Sequence, residues 1–385
     1  MLFIKTAHMS EINKWIEFRK ELHKFPELSG SEKKTSEKIY STLKKFAPDE
    51  LYSQLGGNGV MATFFCDQPD EAETLLFRAE LDAIAVQEES GEGHSSEKEG
   101  VMHGCGHDGH MTILLGLAEY LHHNPPRNCN ISLLFQPAEE TGKGAAKVLQ
   151  DPRFQRKTFK RAFALHNLPG FEENQVIIRK DVFAAASVGL EVTLHGRSSH
   201  AAYPEQGSNP SHILGNLLTF VSEGFEEFKK GGSVNKIVCT YAQLGNVAYG
   251  ISPGQAQMGI TIRSSNDHEL QKITEQIQSR TNAEAESFDG TIAIRQVEPF
   301  SATINDAAGT ELVKEMAGRS GLSIKVLDEP FPWSEDFGEF RKKCPITLFG
   351  LGTGENHPPL HSETYDFNDR LIETGIELFA GLSTL

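Results

Sequence analysis

The stretch His103-Gly-Cys-Gly-His-Asp-Gly-His110 places three imidazoles, one thiol and one carboxylate within eight residues, with glycines between them. Cys105 and His107 are two residues apart, so an extended backbone would direct both side chains to the same side. A thiolate beside a neutral imidazole is a good ligand pair for a divalent transition metal. The glycines allow a ligand to approach the backbone closely. The stretch therefore predicts a metal site.

Other polar residues follow predicted strands on either side of this stretch. Short apolar runs bounded by turn-forming residues predict strands at Thr74–Ala79, Asn130–Phe135 and Ala162–Leu165. The residues that come after them are Glu80 and Asp82, Glu139 and Glu140, and His166. Strands that alternate with helices, such as the predicted helix Met111–Leu121, indicate a mostly parallel sheet flanked by helices. Ligands bind beyond the carboxyl ends of such strands, so we expect these side chains to converge with Cys105 and His107.

The chain is long enough for two domains, and the pattern of elements changes after about residue 185. Residues 186–297 read as strand, helix, strand, strand, helix, strand, the order of a ferredoxin-like unit. The first pattern resumes over 298–385. We therefore predict an α/β domain formed by residues 1–185 and 298–385, which carries the candidate ligands, with a ferredoxin-like (βαββαβ) domain of residues 186–297 inserted between them.

The composition narrows the class of protein. The net charge is −16, from 37 basic and 53 acidic residues, which disfavours nucleic acid and anionic membranes as partners. Five scattered cysteines without a C-x-x-C pair indicate reduced thiols. The apolar run at the start is too short for a signal peptide, and no stretch reaches the length of a membrane span. These features predict a cytoplasmic enzyme or binding protein.

The candidate ligands outnumber those that a single catalytic zinc ion requires. They are Cys105, His107, Glu139 or Glu140, His166 and His361. Such a set suits two ions about 3.5–4 Å apart. His357 lies in the same loop as His361 and is an alternative ligand. Neighbouring Glu139 and Glu140 are expected to point in different directions, so that one binds metal and the other acts as a general acid–base group.

Several segments resemble the metal-dependent amidohydrolases related to aminoacylase, a metallopeptidase family. The similar branch contains hippurate hydrolase, N-acetyldiaminopimelate deacetylase and indoleacetyl-amino acid hydrolase. The segments that carry the resemblance are Arg78-Ala-Glu-Leu-Asp-Ala, the histidine stretch, Pro137-Ala-Glu-Glu-Thr-Gly-Lys-Gly-Ala, Ala164-Leu-His-Asn and Ser199-His-Ala-Ala-Tyr-Pro.

The resemblance implies two divalent ions (manganese, zinc, nickel or cobalt) and hydrolysis of N-acyl amino acids by metal-activated water. Cys105 would be shared by the two ions, His107 and His166 would bind one, and Glu140 and His361 the other. Glu139 would be the general base. Asp82 would hold a ligand histidine in its orientation, as such ligands usually require.

The resemblance also implies roles for the inserted domain. In relatives the histidine equivalent to His200 reaches the active site of a partner subunit and stabilises the oxyanion. The resemblance therefore implies that His200 is catalytic and that the inserted domain is a lid through which a homodimer forms. Asn246 and Arg263 match positions that contact substrate. The chain departs from the family at Glu80, where Asp is usual, and in the loop after Ala248, which reads Tyr-Gly-Ile-Ser-Pro-Gly. We expect these departures to affect the substrate pocket more than the metal site.

Two other functions are compatible with the same residues. Cys105 could be a catalytic nucleophile activated by His107. Alternatively, the chain could be a non-catalytic protein that binds metal or amino acids on the same scaffold. The sequence has no G-x-S-x-G motif, Walker loop or dinucleotide-binding fingerprint.

Overall fold

The structure is a computed structural model that describes residues 9–232 and 234–385. Residues 1–8, on which the expectation about a signal peptide rests, lie outside the described residues. Within the described part of the chain, none of the helices combines the length and apolar character that crossing a bilayer requires.

The helices are distributed along the whole chain. Their bounds are α1 Met9–Lys24, α2 Lys33–Lys45, α3 His107–His123, α4 Gly144–Gln150, α5 Pro152–Gln155, α6 Ser211–Glu223, α7 Glu226–Lys230, α8 Asp267–Glu286, α9 Ala307–Arg319 and α10 Leu371–Leu382. Two 3₁₀ segments cover Pro204–Gln206 and Asp336–Lys342.

The strands alternate with these helices. They are β1 Glu50–Leu55, β2 Gly59–Phe64, β3 Thr74–Glu80, β4 Asn130–Gln136, β5 Arg161–Leu168, β6 Val176–Ile178, β7 Asp181–Ala184, β8 Ala186–His195, β9 Ser199–His200, β10 Lys236–Leu244, β11 Ile251–Ser252, β12 Gln255–Ser264, β13 Thr291–Phe300, β14 Thr303–Asn305, β15 Ile324–Val326 and β16 Ile346–Gly352.

The chain divides into two compact units. The first unit contains the residues up to Phe183, together with Thr303–Asp328 and Asp336–Leu385. The second unit contains Ala184–Ala302 and Glu329–Glu335. The sequence-based expectation placed the inserted domain at residues 186–297 and did not include the segment 329–335.

The first unit is built on an eight-stranded sheet with the order β1-β2-β4-β3-β5-β16-β6-β15. The central strands β4, β3, β5 and β16 are parallel, whereas β1 and β2 are antiparallel additions at one side. Every residue of β4 and β16 is buried, as expected for strands covered on both faces. The predicted mixed α/β fold with a large, mostly parallel sheet is confirmed.

Apolar residues of several helices form one core with the strands of this sheet. The helices that contribute are α1, α2, α3, α9 and α10. The ring of Phe77 on β3 meets that of Phe379 on α10 with centroids 5.1 Å apart. Helix α3 is buried over most of its length because its sequence is apolar on nearly all sides. This helix is therefore a rigid support for the histidine stretch at its amino end.

The second unit contains a four-stranded antiparallel sheet with the order β10-β12-β8-β13. Along β8 the buried residues alternate with partly exposed ones from Val188 to Leu194, which is the pattern of a strand with one face covered. Helices α6 and α8 pack on the sheet. The short strands β9 and β11 form a separate antiparallel pair, and the loop that follows β10 leads into β11.

Candidate metal centre

The histidine stretch turns sharply at Gly106, so the expected extended backbone is not what brings Cys105 and His107 together. Gly106 has a φ of 89° and is the N-cap of α3, which makes His107 the first helical residue. A Cβ at Gly106 would lie 2.5 Å from the Asn167 Oδ1 atom and 2.8 Å from the Tyr365 hydroxyl. Only glycine fits there. The helix predicted for Met111–Leu121 therefore begins one turn earlier than expected and includes His107.

His107 is held in one tautomer with its other nitrogen facing the candidate ligands. Its Nδ1 donates to the backbone oxygen of Asp82 at 2.8 Å. Its Nε2 is buried and has no hydrogen-bond partner in the described part of the chain. This nitrogen lies 4.0 Å from the Glu139 Oε2 atom and 3.9 Å from the Glu140 Oε1 atom. A buried ring nitrogen without a hydrogen-bond partner can bind a metal ion in exchange for its proton.

His166 points its Nε2 at the thiol of Cys105. The strand β5 runs on to Leu168, so His166 lies within the strand and not beyond its end. Its Nδ1 donates to the backbone oxygen of Asn167 at 2.8 Å, and its Nε2 lies 3.5 Å from the Cys105 Sγ atom. Burial, reinforced by the nearby imidazole of His110, lowers the pKa of His166 to about 3. The ring is therefore neutral at physiological pH and able to bind a cation.

Glu140 and His361 approach Cys105 from the other side. The Glu140 Oε1 atom is buried without a hydrogen-bond partner in the described residues and lies 3.6 Å from the His361 Nε2 atom. The backbone N–H of His361 donates to the Gly104 oxygen at 2.8 Å, which ties this loop to the histidine stretch. His357 instead directs its Nδ1 at the Pro358 oxygen, and its ring packs on Tyr365. These contacts favour His361 over His357 as the ligand.

The candidate donors form three overlapping groups, and Cys105, His107 and Glu140 each belong to two of them. One group is Cys105, His107 and His166; a second is Cys105, Glu140 and His361; a third is His107, Glu139 and Glu140. Within each group one donor atom per residue lies within 4.8 Å of the others. Donor separations of this size suit ligands that each lie about 2.0–2.3 Å from a shared ion. Thiol, imidazole and carboxylate donors also suit the same transition metals. The residues therefore fit a pair of cations.

The electrostatic field of the site favours positive charge. Burial disfavours the charged form of His107, but the carboxylates of Glu80, Asp82 and Glu140 outweigh burial and raise its pKa to about 10. The pKa of Asp82 is lowered because its hydrogen bonds and the charge of His107 outweigh the opposing effect of burial. A field that holds a proton on a buried imidazole also attracts a cation to the same nitrogen.

Glu139 and Glu140 do not point in different directions as expected. A tight turn, with Ala138 at a φ of 52° and the Gly142 N–H donating to the Glu139 oxygen, brings both carboxylates toward the imidazole of His107. Glu139 is 5% exposed, and its Oε1 accepts the backbone N–H of Asp336 at 3.3 Å. Its second oxygen, Oε2, is the one that faces His107.

Asp82 connects the two sides of the site. Its Oδ1 lies 3.6 Å from the His107 Nδ1 atom, and its Oδ2 accepts the backbone N–H of Glu140 at 2.9 Å. The hydroxyl of Ser29 donates to the same Oδ2 at 2.6 Å. Asp82 therefore fixes a histidine ring and the backbone of the glutamate pair together.

A buried network behind the ligands was not anticipated from the sequence. Glu80 pairs with Arg78 and accepts the His110 Nδ1–H at 2.7 Å. Arg78 also donates to Asp336 at 2.8 Å. The one sequence signal was Arg78 itself, a charged residue inside an otherwise apolar strand, which requires a buried partner.

The predicted catalytic His200 and the two predicted substrate-binding residues belong to the second unit. His200 lies on β9 and is exposed, with its Nδ1 accepting the Ala202 N–H at 3.0 Å. Asn246 is exposed in the loop after β10, at the edge of a small cavity of about 140 Å³. Arg263 on β12 donates from Nη1 to the Pro332 oxygen at 3.0 Å and to the Ser334 hydroxyl at 3.1 Å. The roles of these three residues stay predictions.

Comparison with known protein families gives one match over most of the chain. The profile described as peptidase family M20/M25/M40 matches residues 76–384. Similar characterised proteins include a hippurate hydrolase of Campylobacter jejuni, 30% identical over 374 residues that cover 95% of this chain and 94% of that protein. An N-acetyldiaminopimelate deacetylase of Lactobacillus acidophilus is 28% identical over 378 residues, covering 95% and 96% of the two chains.

Solved structures share the fold over nearly the full length. One is the Bacillus subtilis YXEP protein, described as a dinuclear metal binding peptidase from the M20 family. It superposes with a TM-score of 0.79 at 23% identity and covers 98% of each chain. An aminobenzoyl-glutamate utilization protein from Klebsiella pneumoniae superposes with a TM-score of 0.73 at 18% identity, covering 97% of this chain and 96% of that one.

Proposed function

Because this chain belongs to peptidase family M20/M25/M40, we propose that it is a metal-dependent amidohydrolase that cleaves the amide bond of N-acyl amino acids. Relatives at 28–30% identity include a hippurate hydrolase and an N-acetyldiaminopimelate deacetylase, which makes hippurate-like and acetyl-diaminopimelate-like compounds the first candidate substrates. The observation that carries the proposal is the meeting of one thiol, three imidazoles and two glutamates around buried atoms, His107 Nε2 and Glu140 Oε1, that have no hydrogen-bond partner in the described residues.

Two divalent ions are held by five side chains in this proposal. His107 and His166 would hold one ion, Glu140 and His361 would hold the other, and Cys105, which belongs to both donor groups, would be available to either. Thiol, imidazole and carboxylate donors are compatible with manganese, zinc, nickel and cobalt. Which of these metals binds depends on the geometry of the site together with metal availability. Such ions lower the pKa of a bound water and polarise a carbonyl, which is the chemistry that amide hydrolysis needs.

Glu139 is the proposed general base and acid. It accepts the proton of the attacking water at Oε2, the oxygen that faces His107, while Oε1 is held by the backbone of Asp336. The same oxygen then delivers the proton to the nitrogen that leaves as the amide C–N bond breaks. Asp82 keeps the ring of His107 and the backbone of Glu140 in place during both steps.

Arg263 is the proposed partner of the substrate's α-carboxylate. Its Nη1 is held by Pro332 and Ser334. No other hydrogen-bond partner of its guanidinium is present in the described part of the chain. The remaining N–H groups can therefore form the paired hydrogen bonds that a carboxylate accepts. We propose Asn246 as a further substrate contact.

His200 of the partner subunit is proposed to donate a hydrogen bond to the oxyanion that forms when the amide carbon is attacked. This role makes the second unit a lid and a dimerisation domain of ferredoxin-like type, and the working form a homodimer. Its strand order β10-β12-β8-β13, with α6 and α8 on the sheet, supports that assignment.

The experiment that tests the proposal is a substrate panel on the protein reconstituted separately with each of the four metals, with metal counted per chain. The panel contains hippurate, N-acetyl-diaminopimelate and other N-acyl amino acids. We expect about two metal ions per chain, release of a free amino acid, and loss of activity in chelator that metal restores.

Two results would contradict it. Activity that persists in chelator would favour Cys105 as a nucleophile. Metal-loaded protein that binds these compounds and leaves them intact after prolonged incubation would favour a non-catalytic binding protein.

A further inference from the structure

Asp336 is a buried carboxylate that receives hydrogen bonds from three different residues. It is fully buried and begins the 3₁₀ segment Asp336–Lys342. Its Oδ1 accepts from the Arg78 Nη2 atom at 2.8 Å, and both of its oxygens lie within 2.9 Å of the Gln136 Nε2 atom. Its Oδ2 accepts the backbone N–H of Ala145 at 2.9 Å. Each carboxylate oxygen is therefore engaged by more than one donor.

These donors surround the loop that carries the two glutamates. Gln136 is the last residue of β4 and precedes the loop, and Ala145 lies in the first turn of α4 just after it. The backbone N–H of Asp336 contacts the middle of the same loop, because it donates to the Glu139 Oε1 atom at 3.3 Å. One residue thus contacts the beginning, the middle and the end of the loop 137–144.

The contact with Glu139 selects one orientation of its carboxylate. Oε1 is turned toward Asp336, which leaves Oε2 4.0 Å from the His107 Nε2 atom. A glutamate side chain has three rotatable bonds. Without a contact that restrains them, a glutamate on a loop populates rotamers in which its carboxylate cannot accept the proton. A fixed acceptor makes proton transfer more frequent without changing how the substrate binds.

We propose that Asp336 is the positioning residue for Glu139, the group that moves the proton in amide hydrolysis; this inference rests on the proposed function. Asp336 touches none of the reacting atoms itself. It acts by fixing the loop 137–144 through Gln136 and Ala145 and by orienting Glu139 through its own backbone N–H. Arg78 pairs with this buried carboxylate and places a compensating positive charge beside it.

The test compares Asp336→Asn with a matched control, Asp306→Asn. The amide keeps the size of the side chain but places an N–H₂ group against groups that only donate, so contacts to the loop must break. Asp306 also pairs with an arginine, Arg161, and also accepts a backbone N–H, that of Gly309 at 2.7 Å. Asp306 is the N-cap of α9 and lies beside the amino ends of β5 and β16. Its carboxylate is therefore engaged at this helix end and not at the loop 137–144.

Three quantities are measured for the wild type and both variants: kcat and KM on the best substrate of the panel, bound metal per chain, and hydrogen exchange of the amides in residues 137–145. We expect Asp336→Asn to lower kcat about 10- to 100-fold with KM changed less than about threefold. Metal content stays the same, and exchange in 137–145 becomes at least about tenfold faster. Asp306→Asn should lose stability but keep kcat and the exchange rate of this loop.

Each other outcome is decisive. Faster exchange with an unchanged kcat would make Asp336 a structural residue and overturn the positioning role, as would an unchanged exchange rate. If Asp336→Asn does not fold, Gln136→Met removes one contact of the loop and must shift kcat and exchange in the same direction. A wild-type protein that is inactive on the whole panel would overturn the proposed function, and the positioning role with it, whereas an active wild type with an unaffected variant overturns the positioning role alone.

Discussion

At the scale of single residues, the site depends on which atom of each side chain is already engaged. His107 and His166 both use Nδ1 to donate to a backbone oxygen, which leaves Nε2 of each ring to face the cluster. Glu139 likewise uses Oε1 for a backbone N–H and leaves Oε2 toward His107. Each functional group is therefore oriented by its own second polar atom, which lowers the entropy cost of bringing the ligands together.

The first prediction concerns Glu139→Gln. The amide keeps the shape of the side chain but cannot accept the proton of water, so we expect turnover to fall at least about 100-fold. Metal content should be unchanged, because Cys105, His107, Glu140, His166 and His361 all remain. Steady-state kinetics together with metal analysis of the purified variant would check this. Turnover comparable to that of the wild type would remove Glu139 as the base.

The sequence predicted the candidate donors but not the residues that support them. Cys105 and His107 stand in one motif, and Glu139 and Glu140 in another, so their chemistry could be predicted from spacing and residue type. Asp336 lies almost 200 positions from Glu139 and His110 lies 30 positions from Glu80, and neither has a local pattern that predicts its partner. Such pairs depend on tertiary contacts, which spacing along the chain does not encode.

At the scale of elements, the amino end of α3 sets the position of the histidine stretch. Gly106 takes a left-handed conformation and sits against Asn167 and Tyr365, so the chain can enter the helix at His107 without clashing with β5. The helix behind it is buried from His107 to Ala118. The predicted ligand His107 is thus attached directly to a helix that is buried over most of its length.

Gly106→Ala tests this arrangement. The new methyl group would meet atoms of Asn167 and Tyr365 at 2.5–2.8 Å in a backbone conformation that alanine disfavours. We expect the free energy of unfolding to fall by about 2–4 kcal/mol and the affinity for metal to fall as His107 shifts. Gly318→Ala in α9 is the control, since its Cβ would meet nothing within 4 Å. Equal stability and metal affinity in the two variants would refute the steric argument.

Helices α1 and α3 are joined by a buried ion pair that depends on pH. His23 on α1 donates from Nδ1 to the Asp108 Oδ2 atom at 2.8 Å, and its Nε2 lies 3.3 Å from the Glu88 Oε2 atom. Burial opposes the charged ring, but these carboxylates outweigh it and raise the pKa of His23 to about 10. The pKa of Asp108 is lowered, since the charges of His23 and Arg19 outweigh its burial.

This pair predicts a loss of stability at alkaline pH. A raised pKa in the folded state means that the contribution of His23 is complete below its unfolded value near 6.5 and disappears as pH rises toward 10. We expect the free energy of unfolding to fall by up to about 1.4 kcal/mol per pH unit in that window. In His23→Gln the part of this slope that His23 contributes should be absent. Urea unfolding of the wild type and of His23→Gln at pH 6.5, 8 and 10 measures the free energy of unfolding of each protein. If this free energy falls by the same amount with pH in both, His23 is not its source.

At the scale of the whole molecule, candidate chemistry is divided between two units. The predicted metal ligands and Glu139 lie in the first unit, and His200, Asn246 and Arg263 lie in the second. The proposed homodimer gives this division a function, because His200 would complete the site of a neighbouring chain. A mixture of two inactive variants, one altered in each unit, can therefore test the proposed homodimer.

His200→Ala and Glu139→Gln should each be nearly inactive and should complement each other. In a mixed dimer the chain with Glu139 intact receives His200 from the other chain. Random exchange of subunits would restore about a quarter of wild-type activity, since half of the dimers are mixed and one of their two sites is complete. Activity is measured before and after subunit exchange. No recovery in a mixture that sedimentation shows to contain mixed dimers would place His200 in the site of its own chain.

The sequence by itself determined the class of the fold and the kind of site. Alternating strands and helices predicted the mostly parallel sheet, and polar residues at strand ends predicted where ligands collect, because both patterns are local. Only the tertiary structure decided the tautomer of His107, the shared direction of Glu139 and Glu140, and the part played by Arg78, His110 and Asp336. These features arise from buried polar groups that must find partners across the fold, and the partner chosen depends on which strands and loops meet.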